Sequence, residues 1–213
     1  MKWDYEFDVV VIGSGNGALT SAICSHDGGA KTLVIEKSTQ FGGTSATSGG
    51  GVWIPNNRYA KAMNVDDSDQ DARDYINSVS PEGKIKDELV ETYLSEGPKM
   101  IDYLHENSQV KYRNLAHYPD YFPDNPGGKA GNRSMEPEPI KGTELGDDLA
   151  KLREQHPQTA FTMGPINMNF TQVEGQLLLG ALPGWKSLFA KLFSKYILDI
   201  PMRLKWGWKD RRL

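Results

Sequence analysis

The spacing of apolar and polar positions changes character along the chain. Phe7-Asp8-Val9-Val10-Val11-Ile12 is a short β-branched run closing on Gly13, which predicts a strand buried on both faces of a parallel sheet. Leu19 to Ser25 has helical character and Gly28-Gly29-Ala30 breaks it. Lys31-Thr32-Leu33-Val34-Ile35-Glu36 then predicts a second strand, closing a βαβ unit. After Val65, Ala72, Tyr75, Ile76 and Val79 recur at helical spacing behind the capping candidates Asp66, Asp67, Ser68 and Asp69, and Pro81-Glu82-Gly83 ends that helix. Ile85, Leu89, Val90, Tyr93 and Leu94 form a second stripe, interrupted at Gly97-Pro98 and resumed by Met100, Ile101, Tyr103 and Leu104; these stripes are expected to face the core. Leu115 to Asp148 is a proline- and glycine-rich segment too long for a plain connector. Trp185 to Leu198 again alternates apolar and basic residues at helical spacing, and Pro201 is expected to end that helix.

Glycine placement adds chemistry to this pattern, because ten of the 22 glycines fall within the first 51 residues. Gly13-Ser14-Gly15-Asn16-Gly17-Ala18, between the first strand and the helix, matches the dinucleotide fingerprint G-x-G-x-x-G/A with Ala18 at the last position. Gly13 permits the tight turn off the strand, Gly15 presents no side chain to a pyrophosphate, and Ala18 lets the helix pack on the strand. Unpaired N–H groups and the positive dipole end of the helix favour an anion there. Glu36 closes the second strand, placed to accept hydrogen bonds from both ribose hydroxyls of an adenosine and to repel a 2′-phosphate. Lys37 beside it completes the candidate adenosine-binding set.

The fingerprint serves NAD and FAD alike. A second loop of small residues, Phe41 to Gly51, begins where an NAD-type domain would be entering its next helix. Its amides and the hydroxyls of Thr44, Ser45 and Ser48 suit a pyrophosphate and a ribityl chain, and Gly43, Gly49, Gly50 and Gly51 let the backbone approach a planar ring. Val52-Trp53-Ile54-Pro55 follows at once, an apolar exit that suits a packed loop rather than a linker. The cofactor expected is therefore FAD.

The fingerprint, the Glu36-Lys37 strand end and the stretch Gly42 to Asn57, ending Gly-Val-Trp-Ile-Pro-Asn-Asn, resemble the FAD-binding part of the fumarate reductase/succinate dehydrogenase flavoprotein superfamily, and within it the 3-ketosteroid dehydrogenases. The resemblance implies an α/β fold: an incomplete Rossmann-like FAD-binding βαβ domain with a helical extension over 1–110, then a loop-rich segment and the start of an α+β substrate domain over 111–213. It also implies extended FAD, a 3-ketosteroid substrate, an external electron acceptor of quinone type, and 1,2-desaturation of ring A with a hydride passing to flavin N5 and a proton to a tyrosine base. Family members run to more than twice this length, so the chain is expected to be an N-terminal part, with the base and the groups that polarise the 3-keto oxygen lying mostly beyond Leu213. Alternatives are 4(5α)-dehydrogenation, fumarate-type reduction, and a non-catalytic FAD-binding fragment.

Within the long middle segment, His117 to Gly128 resembles the same dehydrogenases, in which a Pro-Asp-Tyr sequence before a Pro-Gly-Gly turn puts a tyrosine in the steroid pocket. This implies Tyr121, with Tyr118 as the competing choice. A phenol suits the task, since its face packs on an apolar sterol while its hydroxyl hydrogen-bonds. The role implied for Tyr121 is assistance by hydrogen bonding and shaping of the pocket, not that of principal base. Gly131 to Pro137 and Gly142 to Gly146 resemble the family as well and receive no role.

Composition excludes several classes. A net charge of -4 argues against a dedicated nucleic-acid binder. The four histidines have no metal-ligand spacing, and no nucleophile motif of a hydrolase appears. No apolar run approaches the ~18 residues of a membrane span and the acidic start does not resemble a signal peptide, so a cytoplasmic location is expected. Cys24, the single cysteine, is expected to be a buried small hydrophobe. Residues 186–213 carry eight Lys/Arg against two Asp, which leaves two readings open: a basic amphipathic helix on an anionic membrane, or an apolar face packed on the substrate domain.

Overall fold

The computed structural model describes residues 3–156, 162–163, 166–167 and 170–208. Two compact units emerge, one formed by Met1–Gly49, Ile140–Phe170 and Phe189–Leu213, the other by Gly50–Pro139 and Thr171–Leu188.

The first unit opens with the expected βαβ element. Strand β1 (Val9–Ile12) runs parallel to β2 (Thr32–Ile35) in the register Val9↔Thr32 to Ile12↔Ile35, joined by helix α1 (Asn16–Asp27). Asp8 fixes the start of the register by accepting from the Lys31 N–H at 2.8 Å, and the Gly13 N–H closes its end on the Ile35 carbonyl at 2.7 Å. Burial on both strand faces is not found: Val11 is buried, but Val10, Ile12 and Ile35 are exposed, because α1 covers one face of a two-stranded sheet. Cys24 is likewise exposed, not buried, since α1 contributes no buried residue. Past β2, Phe41 makes a parallel bridge to Leu152 and leads into the one-turn 3-10 segment Ser45–Thr47.

The second unit is built on an antiparallel sheet of order β3 (Val52–Trp53), β5 (Ser134–Pro137), β4 (Tyr112–Asn114). Between its strands come α2 (Arg58–Ala62), α3 (Asp69–Val79) and α4 (Asp87–Asn107), and α5 (Gln172–Leu179) follows. Ile54, Ile101, Tyr112 and Met135 form one buried cluster; Ala72, Val90 and Leu94 form a second. Only part of the expected core stripe of α4 is inside: Val90, Leu94, Ile101 and Leu104 are buried, whereas Leu89, Tyr93 and Met100, with Ile85 just before the helix, are exposed.

Two sequence expectations about helix ends are corrected here. The helix does not break at Gly97-Pro98; α4 runs through Pro98. Proline there removes one backbone bond, a local cost of about 3 kcal/mol, and packing on both sides of it outweighs that cost. Gly97 supplies the close approach, since a Cβ there would lie 3.3 Å from Ile54 Cδ1. Within the second unit Val110 packs on the Ile54 cluster and the Lys111 carbonyl accepts from the Glu138 N–H at 2.8 Å. Pro201 does not end the basic helix: α6 (Trp185–Leu198) stops before it and Pro201 sits in the first turn of α7 (Ile200–Trp206), where its missing N–H has no intrahelical partner to lose. Two short strands, β6 (Thr162–Met163) and β7 (Ile166–Asn167), pair antiparallel in the first unit. Residues 209–213, the end of the basic stretch, lie outside the described residues. Among the described residues no helix is long and apolar enough to cross a membrane.

Asn57 illustrates how polar groups fix this unit. Fully buried, it caps α2 by accepting from the Tyr59 and Ala60 N–H groups and donates to the Ile54 and Asn132 carbonyls. Those four bonds use the whole capacity of the amide. Asn57→Ala is expected to destabilise the protein by about 2–4 kcal/mol, a lost cap plus orphaned carbonyls, in urea unfolding; a loss below about 1 kcal/mol would show the amide to be dispensable.

Candidate functional site

In the first unit the two glycine loops meet at Ser14. Gly13 takes a positive φ of 94°, which turns the backbone off β1 and buries Ser14 to 3% exposure. The Ser14 hydroxyl donates to Glu36 Oε2 at 2.5 Å and accepts from the Gly42 N–H at 2.9 Å. Glu36 Oε1 accepts from the Ser38 N–H at 2.9 Å. These bonds, Ser14 foremost, hold the Glu36 carboxyl below its ordinary range, so it is ionised at neutral pH. Each oxygen keeps further lone-pair capacity for an incoming hydroxyl.

Gly42 and Gly43 both take positive φ. A Cβ at Gly43 would lie 3.2 Å from Gly15 Cα, so the loops approach each other at a distance that side chains would prevent. Ser45 Oγ accepts from the Asn16 N–H at 3.0 Å, leaving its own proton to donate elsewhere. The Ser48 hydroxyl donates inside its own turn, to the Ser45 carbonyl, while Thr44 and Gly49 are exposed. Gly15 is the N-cap of α1 without a side-chain cap, and the first turn carries no acidic residue. A Cβ added at Gly17 meets nothing within 4 Å. Half-buried Ala18 and exposed Lys37 complete the predicted set. First-turn amides with no N-cap side-chain bond, two glycine turns in contact and an ionised carboxylate acceptor at the strand end form a set of donors and acceptors that fits the pyrophosphate and ribose of FAD.

The remaining predicted glycines belong to the second unit and answer to packing there. A Cβ at Gly50, whose φ is 69°, would lie 2.8 Å from Pro137 Cγ, and one at Gly51 would lie 3.6 Å from the Met135 carbonyl oxygen.

The second unit also holds a cavity of about 310 Å³ walled by Trp53, Tyr75, Ile76, Val79 and the segment Tyr118 to Tyr121. That volume is at the low end for small-molecule sites. Tyr121 is 83% exposed at its rim, beside Tyr118. The Tyr121 phenol, and after it burial, hold the Tyr118 hydroxyl above the ordinary phenol range. Beneath the cavity lies a buried ion-pair group that the sequence did not reveal. Arg133, 1% exposed, donates through Nε and Nη2 to Asp67 and through Nη1 to Asp120 at 2.9 Å. Asp120 also accepts from Trp53 Nε1 at 2.7 Å and from the Lys129 N–H at 3.0 Å. Asp67, expected only as a capping candidate, is the partner of Arg133, and the cap of α3 is Ser68, which accepts from the Asp71 N–H. The guanidinium lies 5.6 Å and 5.8 Å from the centroids of Trp53 and Tyr75. The only available signal was an arginine inside Gly131 to Pro137, a stretch noted without a role.

The long loop earns its glycines sterically: a Cβ at Gly127 would fall 1.9 Å from the Asp71 carbonyl oxygen and one at Gly131 would fall 2.1 Å from that of Ala116.

The family described as FAD binding domain matches residues 8–185. The chain is similar to 3-oxosteroid 1-dehydrogenase of Mycobacterium tuberculosis, 39% identical over 163 residues, covering 76% of this chain and 28% of that protein. It is also similar to 4-oxocyclohexanecarboxylate 2-dehydrogenase of Sinomonas cyclohexanicum, 38% identical over 157 residues, covering 74% of this chain and 27% of that protein. Among solved structures it resembles 3-ketosteroid delta1-dehydrogenase from Sterolibacterium denitrificans in complex with 1,4-androstadiene-3,17-dione, with a TM-score of 0.84 and 39% identity over 97% of this chain and 35% of that one. The chain thus spans roughly a quarter to a third of the length of these relatives.

Removing the guanidinium alone strands two buried carboxylates. Arg133→Met is expected to cost about 3–5 kcal/mol in denaturant unfolding, and the triple change Arg133→Met, Asp67→Leu, Asp120→Leu to recover much of that loss. A single-variant cost under about 1 kcal/mol would contradict the ion-pair account.

Proposed function

We propose, from the premise that this chain belongs to the FAD binding domain family, that it supplies the adenosine- and pyrophosphate-binding segment and part of the substrate pocket of an FAD-dependent dehydrogenase that desaturates ring A of 3-ketosteroids at the 1,2 position. The observation that carries the substrate class is the aromatic cavity walled by Trp53, Tyr75, Tyr118 and Tyr121. The three relatives reported above are named for a ring ketone, steroidal in two cases and a monocyclic carboxylate in the third. Trp53, Tyr75, Ile76 and Val79 in the cavity wall suit an apolar polycycle. The 4(5α)-dehydrogenation and fumarate-type alternatives are not favoured.

Bound FAD supplies the hydride acceptor for such a reaction. Glu36 binds ribose hydroxyls as an ionised acceptor, and the α1 amides neutralise phosphate charge. Tyr121, exposed at the cavity rim, has a phenol hydroxyl that can donate to or accept from a substrate oxygen. Electrons leave through an external acceptor of quinone type.

The poor solubility of a sterol gives meaning to the exposed stripe Phe189, Phe193 and Ile197 on α6, flanked by Lys191 and Lys195. Its two phenyl rings stack at 6.1 Å. Such a face supports peripheral contact with an anionic membrane surface. Intact protein is expected to sediment with anionic vesicles and not with neutral ones, and Lys191→Glu with Lys195→Glu to weaken this by about tenfold or more; binding indifferent to lipid charge would remove the membrane reading.

For the central reaction, flavin-loaded intact protein is assayed with a 3-ketosteroid and an artificial electron acceptor. Tyr121→Phe is expected to lower kcat/KM about tenfold, the value of one hydrogen bond. Turnover of 4-oxocyclohexanecarboxylate in preference to the steroid would overturn the substrate assignment.

A further inference from the structure

Ser14 occupies a position in the glycine fingerprint where close approach of a phosphate asks for no hydroxyl. A serine hydroxyl has one proton to give and two lone pairs. Here the proton goes to Glu36 Oε2 at 2.5 Å and a lone pair takes the Gly42 N–H at 2.9 Å, in a site 3% exposed. With Ser38 N–H on Oε1, both Glu36 oxygens are tethered and the carboxylate cannot rotate freely. Gly42 leaves no room for a side chain at this junction, since a Cβ there would lie 2.6 Å from that of Ala46. We infer that Ser14 is a positioning residue for the cofactor: its hydroxyl aims the Glu36 carboxylate at the adenosine ribose and couples that acceptor to the second glycine loop. The Glu36 carboxyl is held below its ordinary range with the Ser14 bond as the largest cause, which agrees with this geometry. The inference rests on the FAD reading and adds to it a residue that need not touch the cofactor.

The test is a double-mutant cycle on FAD binding by the intact apoprotein, followed by flavin fluorescence with thermal unfolding measured alongside. Ser14→Ala is expected to weaken FAD about tenfold, the value of one charge-assisted bond. In a Glu36→Ala background the same change is expected to weaken it about threefold or less, because the group it acts through is gone. Ser14→Thr with unchanged thermal stability is expected to bind within about threefold of the parent protein, since the hydroxyl is kept. Additive losses in the cycle would overturn the role of Ser14 while leaving the FAD reading intact. Failure of the parent protein to bind FAD at all would overturn both.

Discussion

A single buried guanidinium organises the second unit. Arg133 draws Asp67 from the start of α3, Asp120 from the long loop, and through Asp120 the indole of Trp53 from β3, so segments distant in sequence converge on one charge. Taking three charges out of water is costly, and only complete hydrogen bonding makes the arrangement tolerable. The neighbours comply: Asp67 also accepts from the Asn56 and Ser68 N–H groups, and Asp120 from Lys129. The return is specificity of position. Tyr118 and Tyr121 flank Asp120, and Trp53 and Tyr75 lie over the guanidinium, so the cavity wall takes its shape from this ion-pair group. The first unit uses the same device in miniature, with the Ser14 hydroxyl joining a strand-end carboxylate to a glycine loop. A chain of mean hydropathy -0.54 has few apolar side chains to spend on a core, and polar hubs fix the elements where apolar packing is thin.

What the sequence made legible follows from local rules. The βαβ element could be read because the β-branched run, the glycine turn and the second strand obey short-range constraints, and Glu36 falls at the strand end where the fingerprint requires it. The stretch Trp53 to Asn57 was readable as a resemblance, and the structure supplies its physics: Trp53 serves Asp120, Ile54 enters the core, Asn56 takes a positive φ of 52°, and Asn57 caps α2. Long-range features were not legible. Nothing local tells a buried arginine from a solvated one, so Arg133 passed without a role. Pro98 remains helical because tertiary packing overrides a local penalty, and Cys24 and Ile12 are exposed because burial depends on which elements cover a surface, not on residue type.

In the first unit, helix amides and a tethered carboxylate form a set suited to a dinucleotide; in the second, an aromatic cavity wall stands on the Arg133 ion-pair group. Among the described residues no group of His, Cys, Asp and Glu is arranged to hold a metal ion.

The most direct measurement is the anaerobic half-reaction: intact flavin-loaded protein mixed with a 3-ketosteroid in the absence of any acceptor. The account predicts loss of the oxidised-flavin absorbance in step with stoichiometric formation of the 1,2-desaturated steroid. An unchanged flavin spectrum, or flavin reduction with a product unsaturated elsewhere in the ring, would contradict it.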